Sequence, residues 1–234
     1  MHKYIHFGGV IKPICNLIVP LTNKPNMKSK LISDYIAFTL EHNEAPKSVY
    51  LFAKHIGITE KEFYDYFSST ASIEMEIYRD IFDTTFDVCA ASEVWSSYSA
   101  REKALSVFYA FIESLKANRS FFKYLHDRDF KKLPKWPAYL TTLHESFQSK
   151  FGDIISSGMD TQEISSRKFI DEKYVDGLWL NLLFVLKFWI EDHSERFEKT
   201  DAAIEKSVNL AFDLMSKSAI DTALDFTKFL FQRS

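Results

Sequence analysis

The chain has 234 residues, a net charge of −3 and a pI ≈ 6.2. A generally basic, nucleic-acid-coating surface is therefore excluded, and any contact with a polyanion must be local. Six glycines and six prolines are few for this length and favour long helices, while 22 Phe and 11 Tyr give more aromatic volume than a compact helical core usually requires.

The two cysteines, Cys15 and Cys89, stand far apart in no metal-like spacing, so no disulfide framework or metal site is expected and the setting reads as reducing and cytoplasmic. Residues 1–26 hold half of the prolines, adjacent Gly8 and Gly9, and no acidic residue. Lys12, Pro13 and Asn16 interrupt the apolar run of this segment, and no small-residue cleavage site follows it. It reads as a disordered, dispensable extension rather than a signal peptide. A helix is expected over 28–42, where Leu31, Ile32, Tyr35, Ile36, Phe38, Thr39 and Leu40 give a broad apolar stripe.

Residues 48–67, SVYLFAKHIGITEKEFYDYF, read as two short helices around a tight turn. Ser48 is placed to cap the first, since its hydroxyl accepts an otherwise unpaired first-turn N–H. Val49, Phe52, Ala53 and Ile56 recur at helical spacing. Gly57 ends the helix because glycine accepts the left-handed conformation of a C-cap. Thr59 and Glu62 form a capping box that starts the second helix, whose apolar face is Phe63, Tyr64 and Phe67. Two helices this short bury no core alone, so the unit must lean on the helix before it. A helix–turn–helix presenting its second helix outward suits the groove of DNA.

Phe52-Ala53, Gly57-Ile58-Thr59 and Phe63-Tyr64-x-x-Phe67 resemble the bacterial TetR/AcrR family of one-component transcriptional regulators, over about 30–74. The resemblance implies an all-α fold: a three-helix head over 27–74 for DNA and a larger helical body over 75–234 for effector binding and dimerisation. It places Lys47, Ser48, Thr59, Lys61, Glu62, Tyr64, Tyr66 and Thr70 at the DNA-facing positions. Thr70 stands where the family usually carries a phosphate-contacting lysine, and Glu60, Glu62 and Asp65 surround the single basic Lys61.

Beyond the head, 71–91 reads as one long helix, the lever of such proteins. Ser99 and Glu102 form a second capping box for a helix reaching Lys116, followed by a short aromatic element over 120–126 and a proline-broken basic loop over 131–137. Another helix is expected over 138–156 and a polar loop over 158–167. Residues 178–190 are apolar at 11 of 13 positions, too short for a membrane span of about 20 residues, so this helix is expected to be buried on all sides. A single final helix is expected from Asp201 onward. The resemblance pairs the last two helices across a twofold axis, and Leu182, Leu186, Trp189, Ala211, Met215, Ala219 and Ala223 are the expected dimer contacts.

No G-x-S-x-G, glycine-rich phosphate loop, C-x-x-C or Glu-x-x-His pair occurs, so neither an enzyme nor a cofactor is expected. The aromatic surplus remains. Phe108, Phe111, Phe121, Phe122, Phe147, Phe151, Trp179 and Phe184 fit either the wall of an apolar effector cavity or a solid aromatic core. Together with the resemblance, this implies a homodimeric repressor that binds a palindromic operator and responds to an apolar small molecule. The alternative is a dimer of the same fold that has lost operator binding and acts through small-molecule or protein contacts.

Overall fold

Striped apolar segments with few breakers build helices, and the computed structural model, which describes residues 4–7, 10–13, 27–129, 137–167 and 170–216, is all-α apart from one short hairpin. Nine α-helices lie among the described residues: α1 (Met27–His42), α2 (Val49–Ile56), α3 (Glu60–Tyr64), α4 (Thr70–Ala90), α5 (Ala100–Leu115), α6 (Arg119–Asp129), α7 (Thr141–Asp160), α8 (Asp171–Glu191) and α9 (Glu198–Met215). The hairpin pairs β1 (Tyr4–Phe7) with β2 (Val10–Pro13) antiparallel, Phe7 opposite Val10 and Tyr4 opposite Pro13. The extension read as disordered thus contains regular structure, and the Gly-Gly pair between two alternating runs is the two-residue hairpin signal that marks it.

Two other expectations are corrected. Helix α7 continues through Gly158 to Asp160, where a loop was expected from Gly158. Glycine is needed there because an added Cβ would meet Ile164 Cδ1 at 2.6 Å and Ala100 Cβ at 2.8 Å. Helix α9 stops at Met215, and Ser216 turns to an extended ψ of 164°, so the helix expected to run on from Asp201 is interrupted. Ala219 and Ala223 lie outside the described residues.

Contacts divide the chain into two compact units, one drawn from Met1–Asn16, Cys89–Ala110 and Phe147–Ser234, the other from Leu17–Val88 and Phe111–Ser146. The head expected at 27–74 lies wholly in the second. Its core is a run of edge-on aromatic contacts: Tyr35 on Phe52 with centroids 5.8 Å apart, then Phe52 on Phe63 at 6.1 Å. Tyr35 also meets Phe121 of α6 at 6.2 Å. Each such side chain contributes roughly 1.5–3 kcal/mol on burial, which is how a five-residue α3 is held at all.

In the first unit α8 and α9 pack together. The turn between them is fixed by Asp192, whose carboxylate accepts from the backbone N–H and hydroxyl of Ser194 (2.8 and 2.7 Å) and of Thr200 (2.9 and 2.7 Å). Burial raises this carboxyl's pKa, but those hydrogen bonds outweigh it and bring it down to about 2. Glu163 closes the N-terminus of α5, accepting from the N–H groups of Ala100 (2.7 Å) and Arg101 (3.1 Å). The Ser99–Glu102 box is also formed, with Ser99 N–H donating to Glu102 Oε2 at 3.0 Å and Glu102 N–H to Ser99 Oγ at 3.3 Å.

Candidate functional site

The caps that define the two short head helices form as the sequence dictates. Ser48 Oγ accepts from Leu51 N–H at 3.2 Å, and Gly57 takes φ 76° with its N–H bonded to the Ala53 carbonyl. Thr59 and Glu62 close a reciprocal box: Glu62 N–H donates to Thr59 Oγ1 at 3.2 Å, while Thr59 N–H and Oγ1 each donate to Glu62 Oε2 at 2.8 Å. Those bonds, first from the backbone and then from the hydroxyl, lower the pKa of Glu62 below the usual carboxylate range. The polar atoms of Ser48, Thr59 and Glu62, all expected at DNA, are therefore already engaged in shaping the turn.

What faces outward is different in kind. Tyr50, Leu51, Tyr64 and Tyr66 are 47–56% exposed, and Lys54, Glu60, Lys61 and Asp65 are exposed beside them in sequence. Lys47 is exposed and lies 3.8 Å from Glu44; Thr70 opens α4 and is half-buried. Tyr50, Leu51 and Lys54 are outward positions that the sequence reading missed. Once Phe52 and Ala53 are assigned inward, helical spacing alone turns these three to solvent.

The head is tied to the rest of its unit by a charged knot. Glu74 of α4, buried, accepts from Tyr35 Oη of α1 at 2.6 Å and from both terminal nitrogens of Arg128 of α6 at 2.8 Å each. Arg128 also donates to Asp129 from Nε (2.7 Å) and Nη2 (2.5 Å). The hydrogen bonds to Glu74 raise the pKa of the guanidinium further, and those to Asp129 add to this, whereas burial, followed by the Glu74 charge, raises that of the Tyr35 phenol. The N–H of Ala45, in the loop before α2, donates to Tyr124 Oη of α6 at 3.0 Å. Helix α6 therefore grips both α1 and the head loop.

The eight aromatic residues expected at an effector are shared between the two units. In the first unit Phe147 stacks on Phe151 with centroids 4.1 Å apart and planes at 10°. Phe108 meets both edge-on at 6.5 and 5.8 Å, and Trp179 lies 5.5 Å from Phe147. In the second unit Phe111 meets Phe82 at 5.3 Å, and Phe121 meets Phe122 at 5.7 Å, beside Tyr78 and its stacked partner Tyr139. All of these are buried. Phe184 is not; it is exposed on α8 next to Phe188.

The residues expected at a dimer contact differ in exposure. Leu182, Leu186, Trp189 and Met215 are buried within the single chain. The exposed apolar groups of α8 and α9 are Leu180, Phe184, Leu210 and Leu214, 48–60% exposed, with Ala211 half-buried between them in sequence. A helix apolar on every side does not tell which side meets its own core.

Among the described residues no group of three or more His, Cys, Asp or Glu is placed to hold a metal ion, and no described helix is long and apolar enough to cross a membrane. Residues 103–230, more than half of the chain, match the family described as tetracyclin repressor-like, C-terminal domain. The chain belongs to that family, which marks it as a regulator. No curated protein matches the chain.

Proposed function

We propose that the protein is a homodimeric, ligand-responsive transcriptional repressor working in the cytoplasm, its head addressed to a palindromic operator and its body to an apolar small molecule. The observation that carries this reading is the head. Two capped short helices are anchored on buried Phe52 and Phe63, with Lys61, Tyr64 and Tyr66 turned outward, in a chain whose body is tetracyclin repressor-like. On DNA, Lys47, Lys61, Tyr64, Tyr66 and Thr70 are the contacts this head offers. In the body, Phe108, Phe147, Phe151 and Trp179 form the aromatic surface on which an apolar effector acts, and the exposed leucines of α8 and α9 with Phe184 supply the twofold face.

The test is an electrophoretic shift with a duplex covering the gene's own upstream region, repeated with candidate apolar effectors, alongside light scattering for the dimer. A shift that an effector reverses supports the reading. Absence of any shift at low salt removes the operator from it. One specific observation favours a second reading, a dimer of this fold acting through protein or small-molecule contacts: residues 59–66 hold three carboxylates against one lysine, and affinity for a polyanion comes mainly from Lys and Arg neutralising phosphates.

A further inference from the structure

Two imidazoles meet at the surface of the head. His42 is the last residue of α1 and His55 lies in the last turn of α2. Both are exposed, and their ring centroids are 5.6 Å apart. One phenyl ring sets the pair. Phe38 stacks on His42 at 4.1 Å with planes at 18° and meets His55 edge-on at 4.9 Å. It is itself held edge-on to buried Phe52 at 6.0 Å. The two histidines are far apart in sequence and match no ligand motif, so only the packing of α1 on α2 brings them together.

The hydrogen bond of His42 decides what the pair offers. Its Nδ1 lies 2.9 Å from the Phe38 carbonyl oxygen. That oxygen can only accept, so Nδ1 carries the proton and donates. In the neutral ring Nε2 then holds the lone pair. Metal-ligating histidines are oriented in this way, one nitrogen donating to a carbonyl while the other binds the ion. His55 has no hydrogen bond among the described residues, so its ring can turn a nitrogen towards a shared ion without breaking one. With metal–nitrogen bonds of about 2.0–2.1 Å, two imidazoles on one tetrahedral ion have centroids about 5–5.5 Å apart, and the observed separation is close to that. Both rings also stand at helix C-termini, where the backbone dipole favours a cation. Formal charge does not decide the matter: over 41–55, Glu41 and Glu44 balance Lys47 and Lys54. The ligand chemistry does.

We propose that His42 and His55 form an open two-imidazole site for a divalent transition metal of the zinc, copper and nickel class, which ties the C-terminal end of α1 to that of α2. Imidazole suits these ions, whereas magnesium and calcium take oxygen ligands. Two protein ligands leave positions for water, so the site exchanges its ion and is not a closed structural centre. This agrees with the absence, among the described residues, of any larger metal-holding group. The site is independent of whether the head meets an operator.

The experiment uses the untagged full-length chain, stripped with a chelator and titrated with Zn²⁺, Cu²⁺ or Mg²⁺ alone by calorimetry, with a melting curve at each addition. Zn²⁺ should bind saturably and raise Tm, because an ion held only by the folded chain stabilises it. Cu²⁺ should bind more tightly, following the usual order for nitrogen ligands, and Mg²⁺ should have no effect. His42→Ala and His55→Ala should each weaken Zn²⁺ binding at least about tenfold, the lower end of the loss when even a ligand's supporting contact is removed. His193→Ala, at an exposed histidine outside the head, should leave binding unchanged. Both head histidines are exposed, so circular dichroism of the metal-free variants checks that folding is intact. In NMR spectra Zn²⁺ should shift the ring signals of His42 and His55 together. Failure of Zn²⁺ to bind saturably overturns the proposal, as does affinity that both head variants leave unchanged. Loss of binding in one head variant alone overturns the shared site and leaves the two rings as packing partners of Phe38.

Discussion

Arg128→Ala is the substitution that most directly tests how the head is held. It removes two hydrogen bonds from Glu74, both at 2.8 Å, and leaves a carboxylate whose side chain is 8% exposed with the Tyr35 hydroxyl as its remaining donor in the knot. Breaking a buried ion pair from one side costs about 3–5 kcal/mol; because the Arg128 side chain is 28% exposed, water can enter and about 2–4 kcal/mol is the better expectation. For a chain of this size each kcal/mol lowers Tm by about 2–4 °C, so the melting point should fall by roughly 5–15 °C. Removing both charges with Glu74→Gln/Arg128→Met should recover much of that loss, since no uncompensated charge then stays buried. Tyr35→Phe should cost about 1–2 kcal/mol by deleting one charged hydrogen bond. Urea unfolding of these variants, with the single variants Glu74→Gln and Arg128→Met added, closes the cycle for the ion pair. If Arg128→Ala costs less than about 1 kcal/mol, or if the double variant is no better than the single one, the knot is not what secures α1 to α4 and α6, and the reasoning fails.

Gly158→Ala should destabilise by about 1–3 kcal/mol through overpacking against Ala100 and Ile164, despite alanine's helix preference of about 1 kcal/mol; a stabilised variant in urea melts would refute the close approach. Asp192 has a folded pKa below its unfolded value of about 3.9, so its contribution is present above pH 4 and lost as pH falls towards 2. Asp192→Asn should therefore cost about 1–2 kcal/mol at pH 7, allowing for screening, and the gap to wild type should shrink in melts taken between pH 4 and 2. Phe184→Glu and Leu214→Glu should yield monomer by light scattering, because a twofold face repeats each buried charge. Dimer retained in both variants places the interface elsewhere.

Much of the head was legible because its signals are local. A cap, a C-terminal glycine and a reciprocal Thr–Glu pair each act within four residues, and Ser48, Gly57, Thr59 and Glu62 occupy the roles their chemistry fixes. Long-range partners were not legible. Nothing in Glu74, Tyr35 and Arg128 announces that positions 39 and 54 residues apart share one carboxylate, because the choice is made by how α1, α4 and α6 pack. The same limit holds for α8. In Leu178 to Ile190 hydrophobicity is nearly uniform, so periodicity carries no direction, and only the packing of α8 on its own unit separates buried Leu182 and Trp189 from exposed Leu180 and Phe184. The aromatic surplus was likewise visible as composition, yet composition does not tell that Phe147 stacks on Phe151 or that Phe121 meets Phe122. The ring contacts of Phe147 include Phe151, Phe108 and Trp179, whereas Tyr35 of the knot at Glu74 meets Phe121. Substitutions in the two groups are predicted to separate: those at Phe147 should alter effector response first, those at Arg128 the anchoring of the head.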